Sequence, residues 1–155
     1  MVLRQAQDDR GAELEAAGWR RLPAVRYTAA LGPSWVIVRD SVLTVALQAQ
    51  DHLGNDNLGI VHGGAMMTFA DMALGCAVGH ENDFKANFVT THLSVNFVAA
   101  GRVGQLITCN PEVVRMTSSL VFTRGLIEAE GKVLASAEGI FKRLEPAKMA
   151  ALKAG

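Results

Sequence analysis

Asp71 is the one charged residue in the apolar run from Ala65 to Val78. An ionised carboxylate in an apolar helix is costly unless something partners it, so its retention points to use. It could serve as a general base or nucleophile, or structurally by capping a neighbouring element or pairing with a buried His or Arg. Upstream, where that helix begins, stands His62-Gly63-Gly64. A helix N-terminus offers unpaired backbone N–H groups and a partial positive charge, which suit a developing oxyanion. Glycine there lets a carbonyl approach the backbone with no Cβ in the way, although a glycine pair also serves simply as a tight turn. The two features together carry more than either alone. Gly63 and Asp71 are eight positions apart, which is about 12 Å along one helix. A base and an oxyanion donor must each lie about 3 Å from one reacting group. If both act together, they must come from different copies of the chain, at a dimer interface with two sites per symmetric dimer.

The helix carrying both reads as central and buried, because it is apolar nearly all round. Its small residues Ala65, Ala70, Ala73, Gly75 and Ala77 would let neighbouring backbone approach closely. Before it, Leu3 to Ala17 has helix-forming composition with Gly18 placed as the stop. Trp19 to Pro33 reads as an irregular lead-in punctuated by Pro23 and Gly32-Pro33. From Trp35 to Gln48 the apolar period becomes two, a hairpin turning at Asp40-Ser41. After the helix, Val89, Thr91, Leu93, Val95 and Phe97 alternate with Thr90, His92, Ser94 and Asn96, predicting two faces of one strand. Further strands are expected at Val103–Cys109, Ser119–Ile127 and Lys132–Lys142, with Pro111 marking an edge or a bulge. An antiparallel sheet wrapped around one long helix is the simplest way to bury that helix.

The chain has 155 residues, enough for one domain with a real core. It is 50% hydrophobic with 15 basic and 15 acidic residues, which excludes a disordered chain and argues against a nucleic-acid binder. Zero net charge does not oppose self-assembly. Cys76 and Cys109 lack metal-type spacing, so no metal is expected, and two isolated thiols suit a reducing, cytoplasmic setting. The first ten residues are polar, with no secretory pattern. The stretch Ile60 to Val78 is interrupted by His62, Thr68 and Asp71, a poor membrane span.

The run Asn57-Leu58-Gly59-Ile60-Val61-His62-Gly63-Gly64, with Asp71 nine residues after His62, resembles the signature of phenylacetate-type hotdog thioesterases, within the 4-hydroxybenzoyl-CoA thioesterase superfamily. Phe97-Val98-Ala99-Ala100-Gly101-Arg102-Val103-Gly104 and Glu130-Gly131-Lys132-Val133-Leu134-Ala135 are similar to the family's third-strand and closing-hairpin motifs. The resemblance covers about Trp35 to Lys142. It implies an α+β hotdog fold, with an N-terminal helical extension at 1–33, the hotdog domain at 34–145 and a C-terminal tail at 146–155. It implies hydrolysis of acyl-CoA to free acid and CoA, with no cofactor. The Gly63 N–H would polarise the thioester carbonyl, and the partner subunit's copy of Asp71 would act as general base or nucleophile. Counting back from Phe97 puts the family's strand hydroxyl on Thr90, with Thr91 the alternative. The family's polar loop position falls on Asp56, flanked by Asn55 and Asn57, and Asn57 takes that role. His62 would orient loop and substrate, and Gly64 and Met67 would join Thr91 in binding it. Met66, Met67, Phe69 and Met72 are expected to line an adaptable acyl pocket. The expected assembly is a homodimer with interface sites, a homotetramer being the other arrangement, and no nucleic acid or membrane partner. The competing functions are a hotdog hydratase, which pairs a His with an acid, and a non-catalytic acyl-CoA sensor.

Overall fold

The computed structural model describes residues 10–56, 58–83 and 87–154. Helix α1 spans residues 10–16 and closes on Gly18, whose φ is 91°. Trp19 N–H bonds to Leu14 O and Gly18 N–H to Glu15 O, the two-bond cap that a left-handed glycine permits. The earlier part of the expected helix, from Leu3, lies outside the described residues. Strand β1 (Arg20–Arg21) and a 3-10 turn (Arg26–Leu31) follow, within the stretch expected to be irregular.

Strands β2 (Ser34–Arg39) and β3 (Val42–Gln48) form the expected hairpin. Asp40 and Ser41 both have positive φ, 48° and 65°, as a two-residue hairpin turn that follows strand twist requires. Helix α2 runs Gly63–Glu81, and after it come β4 (Phe88–Phe97), β5 (Leu106–Cys109), β6 (Glu112–Met116), β7 (Leu120–Ala129) and β8 (Lys132–Arg143). Pro111 cannot donate to a ladder, and the chain breaks there into β5 and β6, both of which pair with β7. Strand β6 was not anticipated from the sequence. A last helix, α3 (Pro146–Ala154), occupies the stretch expected as a tail and buries none of its residues.

All strand pairs are antiparallel, in the order β1-β2-β3-β5-β7-β8-β4, with β6 off this path beside β7. The sheet wraps α2, as the resemblance implies. Met66, Phe69, Ala70, Ala73, Leu74, Ala77 and Val78 turn inward from the helix. They join a core that includes Val45, Leu47, Ile107, Val121, Ile127 and Leu134. Phe69 and Leu74 are wholly buried, and burying such a side chain stabilises by about 1.5–3 kcal/mol. No helix among the described residues is long and apolar enough to cross a membrane.

Two expectations fail in ways that bear on the site. Helix α2 is not buried all round: Met67 is 41% exposed, Gly63 and Gly64 are exposed, and Asp71 and Met72 are half-buried. The sheet covers one side only, so an apolar composition conceals an open stripe. Met66 and Phe69 consequently belong to the core and cannot line that stripe. The second failure is the simple alternation along β4. Thr90 pairs with Phe141 and His92 with Ile140, so Thr91 is an extra residue, a β-bulge. Beyond it, Leu93, Val95 and Phe97 pair with Gly139, Ala137 and Ala135. Alternate residues of β8 share one face, so Thr90 stands on the same face as Leu93, Val95 and Phe97. That face meets the helix, since a Cβ on Gly139 would lie 3.0 Å from Leu74.

Candidate active site

The approach to α2 is pinned before the helix starts. Val61 N–H bonds to Gly101 O and His62 N–H to Leu53 O, each at 2.8 Å. Short bridges join Gly54 to Val61 and Ile60 to Arg102. Gly101 is needed for this close approach, because a Cβ there would lie 3.0 Å from Leu134 and 3.4 Å from Ile107.

His62 is the N-cap, and its ring does the capping. Its Nδ1 accepts the Gly64 N–H at 3.0 Å, while its carbonyl accepts from Ala65 and Met66 at 3.0 and 3.1 Å. Those three bonds use the amides of Gly64, Ala65 and Met66. The Gly63 N–H has no acceptor among the described residues, and Gly63 is exposed. A neutral imidazole with Nδ1 accepting carries its proton on Nε2. His62 in this tautomer is a donor at its free nitrogen, not a base. A Cβ on Gly64 would lie 3.1 Å from Nδ1, so Gly64 keeps room for the cap. Phe97 flanks Gly63, its ring 3.7 Å from where a Cβ would stand.

Asp71 lies two helical turns further along the open stripe, with Met67 between it and Gly63. Thr90 Oγ1 donates to Asp71 Oδ1 at 2.7 Å. The bulge makes this contact, since it turns Thr90 toward the helix. Thr91 Oγ1 instead donates to Ile140 O at 3.0 Å and does not reach Asp71. Asn57 lies outside the described residues, and Asp56 is exposed on the loop.

The structure thus brings Asp71 and Thr90 together and places His62, Gly63 and Gly64 together about 12 Å away along the helix. Met67 faces out between the two groups. Two residues near the helix start escaped the sequence reading, Tyr27 and His52, which share a groove with His62, Gly64 and Thr68. Nothing in the spacing signals them, because Tyr27 is 35 positions before His62. Burial pushes the Cys109 thiol up to about 12 and, partly opposed by Arg20, the Cys76 thiol up to about 11. Neither is a thiolate at neutral pH, so neither supplies a nucleophile. Among the described residues no group of acidic, His or Cys side chains could hold a metal ion.

A family model described as the thioesterase superfamily matches residues 58–136. The chain is 29% identical over 99 residues to a Pseudomonas aeruginosa protein provisionally named an esterase, covering 64% of this chain and 73% of the relative. A Bacillus halodurans protein crystallised with CoA superposes with a TM-score of 0.70 at 20% identity, over 93% of this chain and 92% of that one. The phenylacetic acid degradation protein of Thermus thermophilus, in a mutant form, superposes at 0.65 with 21% identity, over 76% of this chain and 98% of its own.

Proposed function

The chain belongs to the thioesterase superfamily, and on that premise we propose that it hydrolyses acyl-CoA thioesters to the free acid and CoA. The observation that carries this reading is the hydrogen bond from Thr90 to Asp71. A carboxylate held by one oxygen on an open helix stripe keeps its other oxygen for water. The reading gains from two relations of the chain, the family match and the solved relative crystallised with CoA.

The steps follow from the positions. The thioester carbonyl accepts from the free Gly63 N–H at the helix N-terminus, where the partial positive charge stabilises the oxyanion. Asp71 removes a proton from water as the water attacks the carbonyl, or attacks directly as nucleophile to give a mixed anhydride that water then hydrolyses to the free acid. Thr90 fixes the carboxylate and leaves a lone pair to orient the water. CoA thiolate then leaves and takes up a proton. His62 holds the helix start through Gly64 and does not act as base. That ring assignment disfavours the hydratase reading, which needs a His lone pair facing substrate. Asn57 keeps the family's polar loop role as part of this proposal, and Met67 and Thr91 that of substrate-side neighbours.

One chain cannot bring both ends of its α2 to a single carbonyl. The functional unit is therefore a dimer in which Gly63 of one chain faces Asp71 of the other. Strand β4 supports this, because among the described residues it pairs with β8 alone, which leaves its other edge for a second copy. The test is a colorimetric thiol-release assay over a panel of acyl-CoAs. Catalytic release of CoA is expected, and tight binding without release would replace the hydrolase reading with a sensor.

A further inference from the structure

A groove of about 490 Å³ opens beside the first turns of α2. Gly64, Ala65 and Thr68 line it from the helix, and Tyr27 and Leu31 of the 3-10 turn form the opposite wall. Among the described residues no Lys or Arg lines it, so these offer no fixed countercharge to the phosphates of CoA. Leu31, Leu53 and Ala65 suit hydrocarbon instead. The groove starts at Gly64, next to the amide assigned to the carbonyl, and reaches Thr68, about 6 Å further along the helix. There the Tyr27 hydroxyl meets Thr68 Oγ1 at 3.4 Å. Thr68 Oγ1 already donates to Gly64 O at 2.9 Å, so Tyr27 supplies the proton in that contact.

The wall is built into place. His52 Nε2 donates to Ala30 O at 2.7 Å, tying the 3-10 turn to the loop before α2. The turn is entered through Arg26, whose φ is 53°, a left-handed step that is strained for a non-glycine residue. Strain of this kind gathers at ligand clamps. Tyr27 itself is 74% exposed, so a large aromatic is held across the groove by its hydroxyl and not by core packing. Residues 26–31 also precede the stretch that the family model matches.

We propose that this groove receives the acyl group, and that the Tyr27–Thr68 contact is its end wall, restricting substrates to short acyl chains. The proposal rests on the hydrolase reading for the position of the carbonyl at Gly63.

Tyr27 is the only tyrosine in the chain, so ring-labelled ¹³C-tyrosine gives one ring signal that reports on this wall directly. The full-length protein is titrated with CoA and with thioether analogues of butanoyl-, octanoyl- and dodecanoyl-CoA that keep the carbonyl. CoA alone should leave the signal in place, and the butanoyl analogue should shift it. In parallel, kcat/KM is measured for the matching thioesters in wild type and Tyr27→Ala. The dodecanoyl-to-butanoyl ratio should rise at least about tenfold in the variant, which an exposed position lets fold normally. An equal shift with CoA alone would place the pantetheine arm in the groove and overturn the proposal. So would an unmoved signal with every analogue, or an unchanged chain-length profile in Tyr27→Ala. Acyl-dependent shifts without thiol release would sink the hydrolase reading and keep the groove assignment. Release without shifts would do the reverse.

Discussion

Thr90 and Asp71 meet at 2.7 Å because strand β4 carries one residue more than its partner. The bulge at Thr91 reverses the alternation, so two consecutive threonines take different tasks. One holds a carboxylate on the central helix, and the other bonds to the sheet.

Replacing Asp71 by Asn keeps shape and removes the proposed base. Turnover should fall by roughly 10²–10⁴, while the melting temperature holds, because a charge is lost without leaving a cavity. Steady-state kinetics together with thermal unfolding checks this. Near-wild-type turnover would remove Asp71 from the mechanism.

Thr90→Ala deletes a hydrogen bond to a charged group. Such a bond contributes about 1.5 kcal/mol or more, so turnover should fall about tenfold. Thr90→Ser should restore most of it, and Thr91→Ala should cost little activity. If Thr91→Ala is the damaging change, the hydroxyl at Asp71 is not the one that matters.

His62→Ala should lower stability by about 1 kcal/mol through loss of the helix cap. His62→Asn supplies another good cap and should keep both stability and most of the activity. A dead His62→Asn enzyme with an intact melting curve would make the imidazole a proton carrier after all.

The two-chain site is tested by mixing. Gly63→Val puts a branched side chain against Phe97 and over the amide, and Asp71→Asn removes the base, so each homodimer should be nearly inactive. A mixed dimer holds one doubly damaged site and one intact site. Random exchange at equal amounts makes half the dimers mixed, so about a quarter of wild-type activity should return. No recovery, with exchange confirmed by mass spectrometry, would confine the site to one chain.

Cys109 gives a pH signature. Burial raises its thiol from 9.0 to about 12, so the folded state holds that proton more tightly than the unfolded chain. Its contribution is full below about pH 9 and is lost as pH climbs toward 12. Urea midpoints should therefore fall over that alkaline window, and less steeply in Cys109→Ala. Equal slopes would show that the thiol titrates alike in both states.

The helix, the hairpins and the main strands were legible because each carries a period or a turn signal of its own. Asp71 stood out for the same reason, as a charge where the helix is otherwise apolar. The stripe left open on α2 was not legible, because exposure depends on how far the sheet reaches around and not on residue type. The face of Thr90 was misread since a bulge adds a residue without altering composition. Thr90 was also picked from the motif spacing, which a bulge does not disturb. Tyr27 and His52 were invisible, because tertiary folding alone carries the 3-10 turn to the start of α2.

Strand β4 is ten residues long and, among the described residues, pairs on one side only. Such an edge invites further strand pairing, which proteins ordinarily block with charge, proline or a cover. Here the outer end carries Phe97 and Val98, 50% and 65% exposed. A second copy that covers this edge would therefore protect as well as complete. Folding and association then share one equilibrium, and mass action enters the stability of each chain. Melting temperature would climb with protein concentration, and dilution would unfold the chain and disarm the site in a single step.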